Sequence, residues 1–135
     1  MNTDKQNPCV LIVEDEIALS KVISFKLEKH GYDSVTARSV DQAIEYLGSI
    51  KNISVIWLDH YLLGKETGLD LLERVKNNST YKDIPVFVVS NSSSPEKRQI
   101  YLQFGVDSFF IKADTTLDKM IQSIAKSLRI GGVHE

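Results

Sequence analysis

Two hydrophobic periodicities take turns along the chain. Short apolar runs at residues 9–13, 34–37, 53–58, 85–89 and 108–111, mostly rich in Val, Ile or Phe, read as β-strands. The first, third and fourth carry so little polar character that both of their faces must be covered. Between the runs, apolar positions recur at three-then-four spacing. The sets are Leu19, Val22, Ile23 and Leu27; Val40, Ala43, Ile44 and Leu47; Leu71, Leu72 and Val75; Ile100, Tyr101 and Phe104; and Leu117, Met120, Ile121, Ile124, Ala125 and Leu128. Each marks the buried stripe of a helix.

The punctuation between elements agrees. Ser39 with Gln42, and Thr115 with Asp118, have the spacing of capping boxes, and Ser94-Pro95 is an N-cap followed by a first-turn proline. Gly31 and Gly105 stand where helix C-caps belong. Alternating strands and helices predict an α/β fold: a doubly wound, five-stranded parallel sheet of flavodoxin-like (βα)5 type, with strand order 2-1-3-4-5. The 135 residues suit one domain, 1–135, with its core at about 8–129 and a short tail at each end.

Composition narrows the function classes. A formal net charge of -2, from 16 basic and 18 acidic side chains, gives no argument for direct nucleic-acid or membrane binding. No apolar stretch approaches the ~20 residues of a membrane span, so a cytoplasmic location is expected. Cys9 is the only cysteine and heads an apolar run, the position of a buried small hydrophobe.

In sheets of this kind ligands bind beyond the carboxyl ends of the strands, beside the switch point between strands one and three. Those ends carry Glu14, Asp15 and Glu16, then Asp59, Ser90 and Lys112, while Arg38 at the end of strand two reads as solvated. Any one of these residues has a structural explanation as a turn former or a solvated charge. Together they put carboxylates, a hydroxyl and an ammonium on one edge. Clustered carboxylates repel one another, so the group asks for a cation. Magnesium suits it, having hard oxygen ligands and open positions for phosphate oxygens. Zinc does not, since His30, His60 and His134 have no ligand spacing with Cys9 or one another. His60 reads as a loop residue rather than a base, because adjacent residues at a strand end point apart. Beside a metal, Asp59 becomes a nucleophile toward a phosphoryl group, with Lys112 as second cation and Ser90 as hydrogen-bond donor.

Four stretches in order carry a family likeness: Val10-Leu-Ile-Val-Glu-Asp-Glu16, Val55-Ile-Trp-Leu-Asp59, Asp83-Ile-Pro-Val-Phe-Val-Val-Ser90 and Gly105-Val-Asp-Ser-Phe-Phe-Ile-Lys112. The chain resembles, essentially end to end, a stand-alone receiver domain of two-component response regulators. That resemblance implies a signalling switch rather than an enzyme, phosphorylated on Asp59. It implies a magnesium site of Asp15, Glu14 acting through water, Asp59 and the backbone carbonyl of Tyr61. Ser90 matches the switch hydroxyl, Lys112 the phosphoryl-binding lysine and Phe109 the switch aromatic. The implied donor is a histidine kinase or phosphotransfer protein. Output would pass to another protein through the fourth helix, fifth strand and fifth helix, from a monomer or weak homodimer.

The chain departs from the family pattern at four places. Ala113 follows Lys112 where a cis proline is usual, so the loop is expected to be trans and reshaped or else strained. Asn91 replaces a small residue and could narrow the pocket. A proline near Leu63 is missing and Gly68 comes one residue late, which predicts a longer loop tied back to the core by Leu62 and Leu63. Ala113 and Asn91 motivate a second reading, a pseudo-receiver that acts as an interaction module without phosphorylation. The complete set Glu14, Asp15, Asp59, Ser90 and Lys112 argues against it. A phosphatase with an aspartyl nucleophile would need an acid at Tyr61. Flavin binding would need a phosphate cradle where Glu14-Asp15-Glu16 stands.

Overall fold

The computed structural model describes residues 7–91 and 94–131; the N-terminal stretch 1–6 and His134 lie outside the described residues. The chain runs β1 (Cys9–Val13), α1 (Ile17–Lys29), β2 (Asp33–Ala37), α2 (Val40–Ser49), β3 (Ile53–Asp59), α3 (Gly68–Lys76), β4 (Val86–Ser90), α4 (Pro95–Gln103), β5 (Ser108–Ile111) and α5 (Leu117–Gly131). All neighbouring strands are parallel, in the order β2-β1-β3-β4-β5 expected from the pattern.

Strand alternation sorts the core into two layers. Val10, Ile12, Val55, Trp57, Phe87 and Val89 point to one face, where Ile23 and Leu27 of α1 and Met120, Ile121 and Ile124 of α5 cover them. Leu11, Val13, Ile56, Leu58, Val86 and Val88 point to the other, under α2, α3 and Tyr101 of α4. Every residue of β1 and β4 is buried, as the absence of alternation in those runs requires. Cys9 is buried, and burial pushes its thiol pKa up, which suits a core residue.

β3 and β4 each run one residue further than the apolar runs. Asp59 pairs with Val89, and Ser90 with Ile111, so both polar groups stand on the last rungs of the ladder.

Three local expectations change. The Thr115–Asp118 box does not form: residues Lys112–Asp114 make a single 3-10 turn, and the capping hydroxyl is Thr116, which accepts from the Lys119 N–H at 3.2 Å. On α1, Val22 is exposed while Ser20 is buried, its hydroxyl returned to the Ile17 carbonyl at 2.9 Å. On α4 the stripe thins to one residue: Tyr101 is fully buried and Ile100 is 40% exposed. The cap at Ser94 holds, accepting from the Lys97 N–H at 3.0 Å, and Gly31 and Gly105 take the positive φ of helix ends, 90° and 93°.

Candidate functional site

The acids gather where β1 and β3 end. Glu14 is 2% exposed and Asp59 5% exposed, with Asp15 half-buried at the rim. Each of the three offers a carboxylate oxygen within 4.8 Å of the others. Glu14 is held by its neighbour: its Oε2 accepts the Glu16 N–H at 3.1 Å, and its own N–H donates to the Ala37 carbonyl at 2.9 Å. Burial raises the pKa of Glu14, and the Asp59 charge raises it further, against the Glu16 amide and Lys112. Burial likewise raises the Asp59 pKa, against the Lys112 charge and the His60 amide. Lys112 Nζ lies 3.5 Å from Glu14 and 3.6 Å from Asp59, so one ammonium serves two buried carboxylates. The raised pKa values say that this compensation is incomplete. An all-oxygen donor set in which burial still disfavours the charge is what a hard divalent cation fits.

Lys112 opens the 3-10 turn, and no described peptide bond is cis, so of the two expectations for Ala113 the strained cis bond is not found. Ala113 and Asn91 are both exposed.

Arg38 is not solvated as its position suggested. Its Nε and Nη2 both donate to the Asp15 carbonyl, at 3.2 and 3.0 Å, clamping the β1–α1 loop. The Arg38 carbonyl in turn accepts the Leu63 N–H at 3.0 Å, and Ser39 bridges Leu63 as an isolated parallel pair. The loop after β3 is thus tied back through the Leu63 backbone, while its side chain is exposed and only Leu62 packs on the core. The residue type alone hid this: a fork of donors at a strand end finds a carbonyl only in three dimensions.

The other half of the crevice belongs to β4 and α4. Ser90 is fully buried, and Lys97 Nζ lies 3.5 Å from its Oγ. The same ammonium sits 4.9 Å from the centroid of the exposed Tyr61 ring. His60 turns away from the acids, as expected, and its Nδ1 shares a hydrogen with the Tyr101 hydroxyl at 2.5 Å. Burial and then the Lys97 charge lower the His60 pKa. Phe109 is buried on β5 against Tyr101, ring centroids 5.6 Å apart, with the Arg98 guanidinium 5.6 Å over its face.

Gly68 locks the loop after β3. Its N–H donates to the His60 carbonyl at 2.8 Å, and a Cβ there would lie 2.5 Å from the Asp59 carbonyl oxygen and 3.1 Å from the Tyr101 hydroxyl. Only glycine allows this approach. Thr67 and Asp70 cap α3 beside it, the Thr67 N–H donating to Asp70 at 2.8 Å.

A five-stranded parallel sheet with this strand order defines a flavodoxin-like fold, with an acid crevice at its switch point. The response regulator receiver domain model matches residues 10–125. The chain is 38% identical over 105 residues to the two-component response regulator ORR3 of Oryza sativa subsp. indica, covering 78% of this chain and 79% of that protein. It is 30% identical over 112 residues to the regulator ORR12 of Oryza sativa subsp. japonica, covering 83% and 92%. Among solved structures, a response regulator receiver protein from Pseudomonas putida superposes with a TM-score of 0.83 at 25% identity, covering 90% of this chain and 98% of that one. The chemotaxis protein CheY4 of Vibrio cholerae, at 24% identity, shares the fold with a TM-score of 0.80 over 89% of this chain and 98% of its own. The chain belongs to the receiver domains of two-component response regulators.

Proposed function

We propose that this receiver is a phosphoacceptor switch with Asp59 as the phosphorylated residue. The observation that carries the reading is the setting of Asp59. It ends the central strand, shares a cluster with Glu14 and Asp15, and has the Lys112 ammonium at 3.6 Å. An Asp59 carboxylate oxygen attacks the phosphorus of a phosphohistidine on a histidine kinase or phosphotransfer protein. A P–O bond forms and the P–N bond breaks; the imidazole nitrogen keeps the electron pair and takes a proton. Asp15, Asp59 and the Tyr61 carbonyl would hold magnesium, with Glu14 acting through water, and the bound ion would supply neutralisation of phosphoryl charge. Lys112 neutralises a second oxygen and Ser90 donates to a third.

The product adds roughly two negative charges to a buried rim. Ser90 is drawn inward, Phe109 follows it, and the surface of α4, β5 and α5 is repacked for a protein target. The chain is a switch in the cytoplasm rather than an enzyme, acts as a monomer or weak homodimer, and binds neither nucleic acid nor membrane itself. No helix among the described residues is long and apolar enough to cross a membrane.

Beryllofluoride with magnesium, a phosphoryl mimic, tests the reading. Trp57 is buried on β3 two residues before Asp59, so its fluorescence reports the site. A saturable, magnesium-dependent change is expected in the wild type and none in Asp59→Asn. A silent wild type, or an undiminished response in the variant, overturns it.

A further inference from the structure

We propose that Lys97 is a phosphoryl-binding residue, a second ammonium that couples charge on Asp59 to helix α4. The inference rests on the phosphoacceptor reading and extends it to a residue at a position set by α4. Lys97 stands in the first turn of that helix, where the Ser94 cap fixes its backbone at 3.0 Å. Its side chain reaches back over the carboxyl ends of β3 and β4, to 3.5 Å from Ser90 Oγ and onto the face of Tyr61, two residues past Asp59. The two lysines of the crevice differ in one respect. Lys112 is already paired with Glu14 and Asp59, whereas Lys97 makes no ion pair among the described residues.

Its present contacts are a bond at the limit of length to a neutral hydroxyl and an exposed cation–π contact. Both are weaker than a charge-assisted bond to a phosphoryl oxygen, so the ammonium moves to the phosphoryl when one is present. Helix α4 can follow because a single fully buried side chain, Tyr101, anchors it. Ser90 then loses the lysine as a donor and turns its own hydroxyl to the same oxygens. A lysine that merely covered the Tyr61 ring would leave phosphoryl binding untouched.

Titration of the full chain with beryllofluoride at saturating magnesium, read by Trp57 fluorescence, tests this in the wild type, Lys97→Met and Lys97→Arg. Lys97→Met is expected to bind about tenfold more weakly, and Lys97→Arg within about threefold of wild type. The gap between wild type and Lys97→Met should shrink as salt is raised. Affinity for magnesium alone should stay equal or tighten in Lys97→Met, since a cation has been removed, which also shows that the variant is folded. If Lys97→Met titrates like a responsive wild type, or Lys97→Arg is as weak as Lys97→Met, the role of Lys97 falls and the phosphoacceptor reading stands. A wild type that does not respond overturns both.

Discussion

The two halves of the crevice are built on different mechanical principles. On the acid side, Glu14 and Asp59 extend from β1 and β3, strands flanked on both edges and buried on both faces, and Arg38 clamps the intervening loop. On the hydroxyl side, Ser90 is equally buried, but the residues above it stand on α4, which sinks one side chain fully into the core. Helix α5, by comparison, buries Met120, Ile121 and Ile124. Under the proposed phosphoacceptor reading, rigid arms suit the half that would hold the reacting atoms in register. A lightly anchored helix suits the half that the same reading has change, since elements that move come from the low end of local stability.

The most severe way to break this contrast is Tyr101→Ala. Removing the one buried anchor of α4 should cost about 3–5 kcal/mol of global stability in urea unfolding. It should also speed amide exchange along α4 while leaving β1 and β3 protected. Tyr101→Phe keeps the ring and loses only the hydroxyl shared with His60, a cost of about 1 kcal/mol. If Tyr101→Ala costs no more than Tyr101→Phe, α4 is held elsewhere and the contrast is wrong.

The acid half can be tested by pH. Glu14 and Asp59 have raised pKa values in the fold, chiefly through burial, so between the ordinary carboxylate range and those raised values the folded chain binds more protons than the unfolded one. Stability of the metal-free chain should therefore fall as pH rises through that window. Asp59→Asn should flatten the fall, and millimolar magnesium should lift stability at neutral pH by binding only the folded, ionised cluster. Urea midpoints against pH, with EDTA and with magnesium, measure this. Stability that stays flat through the window in EDTA would mean that Lys112 compensates both acids fully.

The contrast also explains what the sequence could show. Strand order, both core layers and the residues at the strand ends were legible because each rests on a periodicity or a position: Asp59 ends an apolar run whichever way its neighbours fold. Groups whose role depends on a partner far along the chain were not. Arg38 meets a carbonyl 23 residues back, and His60 meets Tyr101 41 residues on. Lys97 lies in a polar helix start where no periodicity or motif singles it out. The Thr115 cap failed for a local reason, since the 3-10 turn after Lys112 delays the helix by the residue that decides which threonine caps it. Gly68 was visible as a shifted glycine, but its closeness to the Asp59 carbonyl was not.

The finest test concerns how the acid half is kept in place. Arg38→Ala removes both donors to the Asp15 carbonyl and spares the backbone bond from Leu63 to the Arg38 carbonyl, so the β1–α1 loop is loosened alone. A ligand that loses its orienting partner typically loses at least an order of magnitude in metal affinity. Since Glu14 stays tied through the Glu16 amide, the lower end applies, about tenfold weaker magnesium binding by Trp57 fluorescence. Arg38→Lys can offer one donor but not the fork, and should recover only part of the loss. The urea midpoint in EDTA should barely move, because the contact joins two loops at the rim rather than core elements. Unchanged magnesium affinity in Arg38→Ala would mean that the loop is set by the strands alone, and that the rigidity of the acid half ends with β1 and β3.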